Sequence, residues 1–321
     1  MRCVRLMLPI LAFVLCTPIA AQAADWPDRP IHFIVPFPAG GSTDVAARLI
    51  GDYVSRSLRQ PVVIEDKSGA NGNIGTEYAA RSAPDGYTVL ITTDSVSTNP
   101  HIYTLSFDPM QMLVPVIEVS HQPVVLAAHP SLGVSTLAEL TAKARQQPGM
   151  RFGTGSGIGS LQALTALWYA KLAGIKLVQV PYRGGGQAIN DLVAGTVQLG
   201  ALGSTPLIPY YKSGNLKMLA QSGIARSPAL PDVPTFQESG MKELVIEQRI
   251  GVSVPKGTSA EIVARLNSEI NAALRDDKIR TILADQAQDA AGGTPEQYGK
   301  LLQADSEEVA RLVNELSIEV Q

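Results

Sequence analysis

Residues 31–44 read Ile31-His32-Phe33-Ile34-Val35-Pro36-Phe37-Pro38-Ala39-Gly40-Gly41-Ser42-Thr43-Asp44. The first five are mostly apolar and β-branched, which predicts a buried strand, and the prolines and glycines that follow predict a turn. Beyond the turn, Val45, Leu49 and Val54 recur at helical spacing. A strand, a short glycine-rich turn and an amphipathic helix form the repeating unit of a parallel α/β sheet.

The same pattern recurs along the chain in two separate runs. Strands are predicted at 61–65 and 87–92 in the first run, and at 123–128, 151–154 and 177–180 in the second. Alternating strands and helices with short loops predict parallel strands joined by right-handed crossovers. We therefore expect an α/β fold in which the loops after the strands meet at the carboxyl edge of a sheet.

Two runs of this kind predict two lobes. The chain is expected to return from the second lobe near 245–254, before two amphipathic helices. We assign a signal peptide to 1–23, lobe 1 to 24–122 plus 248–321, and lobe 2 to 123–247. Two segments then cross between the lobes, which is the geometry of a hinge with an interlobe ligand cleft.

The N-terminus has the pattern of a secretory signal. Arg2 and Arg5 precede an apolar run from Leu6 to Ala20, which ends in Ala21-Gln22-Ala23. A transmembrane anchor is disfavoured because the run is short and interrupted by prolines. A lipoprotein is disfavoured because no small residues directly precede Cys16. We expect a periplasmic protein whose mature chain does not insert into a membrane.

Composition excludes several classes of partner. Removing Arg2 and Arg5 from 26 basic and 29 acidic residues leaves a net charge of about −5. Such a chain has no basic field for nucleic acid or an anionic membrane surface. Cys3 and Cys16 both lie in the predicted signal, so the mature chain has no thiol for a disulfide, zinc ligand or nucleophile.

Three glycine-rich loops are candidates for anion binding. They span 40–44, 155–160 and 182–186, and each lies between a predicted strand and a predicted helix. Unpaired backbone N–H groups and the positive end of the helix dipole converge at such points. Any one of them is also explained as a capped turn, but three loops divided between two lobes favour an anion site.

No motif for catalysis or a cofactor is present. The glycine loops match neither the P-loop nor the dinucleotide-binding pattern, and Ser156 lacks the flanking glycines of a hydrolase elbow. The four histidines show no metal-ligand spacing, and the aspartates of the predicted loops have no recognisable acid–base partner. We predict no enzyme activity, no metal and no cofactor.

Seven motifs, spread over essentially all of the mature chain, resemble one known family. They are Trp26-Pro27, Pro36 to Asp44, Gly69 to Gly75, Ala83 to Thr88, Val180 to Gly184, Ser227 to Thr235 and Pro255 to Thr258. In this order and spacing they resemble the Bug-type extracytoplasmic solute receptors of tripartite tricarboxylate transporters. The resemblance implies a type II periplasmic-binding-protein fold whose cleft closes on a carboxylate held largely by backbone amides and bridging waters.

The resemblance also implies which residues contact the ligand. In lobe 1 they are Phe37, Ala39, Gly40, Gly41, Ser42, Asp44, Thr92, Asp94 and Ser95. In lobe 2 they are Gly155, Ser156, Gly157, Gly159, Ser160, Tyr182, Arg183 and Gly184. The sequence departs from the family pattern at Ala163, Gln198 and Arg249, where histidine, aspartate and tryptophan are common. Arg249 either adds a positive charge that favours a second carboxylate or is an exposed hinge arginine.

The leading hypothesis is a periplasmic receptor that captures a small mono- or dicarboxylate and delivers it to membrane transporter subunits. One alternative is a secreted α/β enzyme that acts on the same kind of acid. Another is a ligand-sensing subunit of a signalling system, which would use the same cleft.

We predict that the exported protein begins at or within a residue or two of Ala24 and is free of thiols. The reason is that signal peptidase cleaves after a small-residue pattern such as Ala21-Gln22-Ala23. The intact mass of the periplasmic protein tests this. Retention of Met1, or a lipid on Cys16, would contradict it.

Overall fold

A computed structural model describes residues 26–318 of the chain. The predicted signal peptide and both cysteines lie outside these residues. Within them, no helix combines the length and the apolar character that a membrane span requires.

The described chain alternates strands and helices along most of its length. The strands are β1 (Ile31–Val35), β2 (Val62–Asp66), β3 (Thr88–Thr93), β4 (Leu113–Ala128), β5 (Met150–Thr154), β6 (Leu177–Pro181), β7 (Leu199–Gly203), β8 (Lys217–Gln221), β9 (Glu247–Pro255) and β10 (Asp289–Ala290). The helices are α1 (Ser42–Leu58), α2 (Asn73–Ala80), α3 (Ser95–Thr98), α4 (Pro109–Met112), α5 (Leu137–Gln146), α6 (Leu161–Ala173), α7 (Gly185–Val193), α8 (Ile208–Lys212), α9 (Ala260–Arg275), α10 (Asp277–Asp285) and α11 (Pro295–Leu316).

The strands form two parallel groups joined by two antiparallel strands. The sheet order is β2-β1-β3-β9-β4-β7-β5-β6, with β8 and β10 paired to β4. Strands β1, β2 and β3 are mutually parallel, as are β5, β6 and β7, while β4 and β9 are antiparallel to their neighbours. We call the group of β1 to β3 the first half, the group of β5 to β8 the second half, and β4 and β9 the crossing strands.

Helices cover both faces of each parallel group. In the first half, Phe33 faces a core shared with α1 and α9, and its neighbour Ile34 faces a separate core shared with α2. In the second half, Trp168 of α6 and Ile189 of α7 lie in different cores on opposite faces. Burial on both faces is expected for parallel strands, whose sequences read as continuous apolar runs.

The last helix packs on both halves. Leu302 of α11 is buried beside the crossing strands, and Leu312 lies in the core around Trp168 of the second half. Lys171 of α6 also donates a hydrogen bond to the Glu315 carbonyl at 2.5 Å. The C-terminal helix is therefore a third element that bridges the halves, in addition to the crossing strands.

We predict that Gly251→Ala lowers the free energy of unfolding by about 1–3 kcal/mol, the usual cost of overpacking a core. Gly251 lies on β9, and a Cβ there would overlap the ring of Tyr298, which is only 1% exposed. Urea denaturation measures the change.

The matched control is Gly186→Ala, because Gly186 lies in helix α7 and a Cβ there meets no atom within 4 Å. Alanine is favoured over glycine inside a helix, so this variant should be unchanged or stabilised by up to about 1 kcal/mol. Equal destabilisation of both variants would contradict the prediction.

Candidate functional site

Six of the predicted ligand residues line one cavity between the halves. This central cavity has a volume of about 70 Å³. The six are Phe37, Gly41, Ser42, Asp94, Gly155 and Ser156. They come from the loops after β1, β3 and β5, so the carboxyl ends of the strands do meet at one place, as parallel topology requires.

Two helix N-termini face the central cavity without a side-chain cap. Gly41 is the N-cap of α1 and Gly184 that of α7, and neither can provide a side-chain hydrogen bond. The first turn of α1 and Gly185 of α7 both line the cavity. Their N–H groups and helix dipoles place partial positive charge there. By contrast, the Ser160 hydroxyl caps α6 by accepting a hydrogen bond from the Ala163 N–H at 3.4 Å.

Glycine at 155 is required by the close approach of two loops. A Cβ on Gly155 would stand 2.5 Å from Cα of Gly185. The Gly155 N–H donates to Gln162 Oε1 at 2.8 Å, which fixes the loop after β5 against the start of α6. The two loops of the second half therefore form one rigid wall of the cavity.

Asp94 is the one ionisable side chain among the described residues that line the central cavity; none of them is lysine, arginine or histidine. Burial, together with a smaller effect of the Asp305 charge on α11, raises the Asp94 pKa to about 7. The Gln248 amide, whose Nε2 lies 3.5 Å from Asp94 Oδ1, and the Leu161 N–H act in the opposite direction. At neutral pH the carboxyl is therefore close to its midpoint of titration.

Three glutamines that line the cavity were not predicted from sequence. Gln122 on β4 and Gln248 on β9 are register partners on the crossing strands, and Gln162 lies in the first turn of α6. The Gln122 Oε1 accepts hydrogen bonds from Thr205 Oγ1 at 2.8 Å and from Ser42 Oγ at 3.2 Å. A buried glutamine inside an apolar strand is the signal that identifies such positions.

Loops of the two halves touch beside the cavity. The Gly157 N–H donates to Asn71 Oδ1 at 3.2 Å, and the Tyr103 hydroxyl donates to the Ile158 carbonyl at 2.9 Å. A Cβ on Gly157 would stand 2.6 Å from the Tyr103 hydroxyl oxygen. This arrangement brings both predicted anion loops, 40–44 and 155–160, to one cleft.

Tyr182, Arg183 and Gly157 line a second cavity that adjoins the first. It has a volume of about 470 Å³ and shares Phe37 and Ser156 with the central cavity. The Tyr182 hydroxyl donates to Asp191 at 2.7 Å, and burial together with Asp191 raises the Tyr182 pKa to about 12. Arg183 is exposed and is outside the central cavity.

Eight predicted residues line neither of these two cavities. They are Ala39, Gly40, Asp44, Thr92, Ser95, Gly159, Ser160 and Gly184. Several shape the loops instead. Asp44 accepts a hydrogen bond from the Gly40 N–H at 2.9 Å and pairs with Arg48 at 2.8 Å, and Thr92 donates to Ser253 on the far side of β3.

Known proteins similar to this chain point to one family. The model of the tripartite tricarboxylate transporter family receptor matches residues 46–318. The chain belongs to this family. Its members are periplasmic solute-binding receptors and not enzymes. This agrees with the predicted fold class and with the prediction that the chain is not an enzyme.

Individual relatives agree with this assignment. Protein BugT of Bordetella pertussis is 37% identical over 305 residues, which cover 92% of this chain and 93% of BugT. The R. palustris protein Rpa4515, solved with adipate, is 31% identical with a TM-score of 0.89 over 92% of this chain and 100% of that one. MatC of Rhodopseudomonas palustris, solved with malate, is 28% identical with a TM-score of 0.84 over 90% of this chain and 100% of MatC.

Two positions where this receptor departs from the family pattern lie away from the central cavity. Ala163 is fully buried in α6, and Gln198 is exposed and donates to Ser131 at 3.0 Å. Among the described residues, no group of three or more histidines, cysteines or carboxylates is placed to hold a metal ion.

Arg249, the third departure, neither lines the central cavity nor is exposed. Its side chain is 17% exposed and lies 2.9 Å from Glu118, 3.0 Å from Asp305 and 3.7 Å from Glu247. Neighbouring residues of a strand point to opposite faces, so Gln248 faces the cavity and Arg249 faces α11. Burial opposes ionisation of Glu118, but its pKa is lowered by His121 and Arg249.

We predict that Arg249→Ala lowers the free energy of unfolding by about 3 kcal/mol at pH 7, because it leaves the buried Glu118 and the partly buried Asp305 without their guanidinium partner. The loss should shrink at pH 5, because removal of the cation raises the pKa values of Glu118 and Asp305 and these carboxyls then take up protons. Urea denaturation at both pH values measures the change.

Arg226→Ala is the control, because the Arg226–Glu238 pair is 42% and 46% exposed. Exposed pairs contribute up to about 1 kcal/mol. If Arg249→Ala lowers the free energy of unfolding by no more than the control does, Arg249 does not stabilise the carboxylates around it as predicted.

Proposed function

We propose that this protein is a periplasmic receptor that captures a small organic anion, a mono- or dicarboxylate, and delivers it to the membrane subunits of a tripartite tricarboxylate transporter. The observation that supports it is the central cavity, where two uncapped helix N-termini from opposite halves converge and no cationic side chain of residues 26–318 belongs to the lining. A carboxylate there would be held by backbone N–H groups. The relatives solved with adipate and malate support a carboxylate of this size class.

The proposal includes export and two moving lobes. A signal peptide at 1–23 would take the chain to the periplasm, where its family acts. Lobe 1 would comprise 24–122 and 248–321, and lobe 2 would comprise 123–247. The packing of Leu312 on the second half means that the end of α11 must slide or bend when the lobes separate. We propose that the loops that contain the seventeen predicted residues bind the ligand. Those of the seventeen that line the central cavity would contact the ligand directly.

We predict that Gly41→Val weakens binding at least tenfold, about 1.4 kcal/mol, whereas Arg183→Ala costs less than about 1.5 kcal/mol. Gly41 has φ −85°, and the nearest protein atom to a Cβ would be 3.8 Å away, so the protein itself accommodates a side chain. The side chain would instead occupy the space where the ligand approaches the amides. Neither Gly41 nor Gly157 has a positive φ, so backbone strain does not contribute.

A thermal-shift screen of small mono- and dicarboxylates identifies the ligand, and calorimetry on the folded variants measures its affinity. A ligand at about a hundred times its dissociation constant should add about 2.7 kcal/mol to the free energy of unfolding. Unchanged affinity in Gly41→Val, or complete loss in Arg183→Ala alone, would show that side-chain charge rather than backbone amides holds the anion. Conversion of any acid to a product, followed by mass spectrometry, would overturn the receptor function.

A further inference from the structure

Asp94 and Gln248 bring oxygen acceptors to the central cavity. The Gln248 Oε1 has no hydrogen-bond partner among the described residues, although this side chain is only 8% exposed. The Asp94 carboxyl accepts from the Leu161 N–H and, at 3.5 Å, from Gln248 Nε2, but no cationic side chain of the described residues lies beside it. A buried acceptor without a donor and a carboxylate without a cation both favour a positively charged ligand group that donates hydrogen bonds.

The orientation of the Gln248 amide follows from its neighbour. With Nε2 toward Asp94, the amide donates to the carboxyl oxygen, whereas the flipped amide would place two acceptor oxygens against each other. The Oε1 atom is therefore the free end. It lies beside Gly203, where a Cβ would stand 2.9 Å from Gln248 Oε1 and 2.8 Å from Gln122 Nε2, so glycine leaves open the space next to both amide groups.

The cavity lining thus presents two kinds of group. The first turn of α1 and the start of α7 present backbone donors, while the Asp94 carboxyl and Gln248 Oε1 present acceptors. A second carboxylate beside these two acceptors would meet Asp94 as a like charge and would leave Gln248 Oε1 unsatisfied. An ammonium group has three donors and a positive charge, and satisfies both acceptors.

We propose that Asp94 and Gln248 bind an ammonium group, so that the preferred ligand is a small zwitterionic amino acid rather than a dicarboxylate. This inference rests on the proposed function, because the carboxylate of the same ligand would lie on the backbone amides of α1 and α7.

The charge state of Asp94 gives the proposal a pH signature. Among the charged groups on the elements packed around it, Asp305 raises its pKa, and Arg249 is already paired with Asp305, Glu118 and Glu247. The Asp94 pKa of about 7 in the free protein means that an ammonium ligand must displace a proton below neutrality. Affinity for an amino acid should therefore rise by about tenfold between pH 6 and pH 8, whereas affinity for a dicarboxylate should fall.

The test uses acids that differ in one substituent. Aspartate, malate and succinate carry ammonium, hydroxyl and hydrogen at the same carbon, and alanine, lactate and propionate form a shorter series. In whichever series binds, calorimetry should show that the amino acid binds at least tenfold more tightly than the hydroxy acid and the unsubstituted acid. The affinity for the amino acid should be higher at pH 8 than at pH 6. Asp94→Asn should remove both the preference and the pH dependence, and Gln248→Met should reduce the preference.

Asp52→Asn is the control, because Asp52 forms an exposed pair with Arg56 and should leave both properties unchanged. Thermal melting verifies that each variant folds. Equal or tighter binding of the hydroxy or unsubstituted acids, with affinity that falls as pH rises, would overturn the ammonium site. The receptor function would stand if Gly41→Val still weakens the binding of those acids at least tenfold. Failure of every acid to bind would overturn both.

Discussion

The crossing strands β4 and β9 pair antiparallel from Leu113 opposite Pro255 to Pro123 opposite Glu247. On one side β9 pairs with β3, and on the other side β4 pairs with β7, so one ladder of backbone hydrogen bonds runs from the first half into the second. Each parallel half alone would place its loops at its own carboxyl edge. The crossing pair turns the two edges toward each other, and the cavity depends on that geometry.

Buried polar side chains attach the glycine loops to this crossing. Gln288, which is fully buried, donates to Thr205 Oγ1 at 3.1 Å and to the Ser42 carbonyl at 3.4 Å, and accepts from Ser120 at 2.9 Å. Gln122 on β4 accepts hydrogen bonds from the hydroxyls of Ser42 and Thr205. Because buried polar groups are costly unless they are paired, this network holds the N-terminus of α1 in one place relative to the second half. Ser42 and Gln122 belong both to this network and to the wall of the central cavity.

Much of the fold could be predicted because its parallel strands are short apolar runs bounded by glycine and proline. Strand β1 and helix α1 begin within a residue or two of the predicted positions. Strand β7 was not predicted, because Leu199-Gly200-Ala201-Leu202-Gly203 is as rich in glycine as a loop, and its burial depends on neighbours distant in sequence. The glycine loops of the site carried their own signal. Gln122 and Gln248 carry only the weaker signal of a glutamine within an apolar strand, because the pairing of β4 with β9 is what brings them to the cavity.

The described part of the chain contributes no cation to the cavity lining, which has a consequence for how such a receptor would release its ligand. The full charge of an arginine belongs to one side chain on one lobe. An arginine in the site would therefore keep the anion bound to that lobe after the lobes separate. Partial charges of helix N-termini act over about one turn, so they add only when the loops of both halves are close. If the anion is held as we propose, neither half retains it alone, and separation of the lobes is sufficient to release it. Asp94 strengthens this coupling, because its negative charge repels an anion. The anion is therefore stable in the cavity only while the amides of both halves hold it away from Asp94.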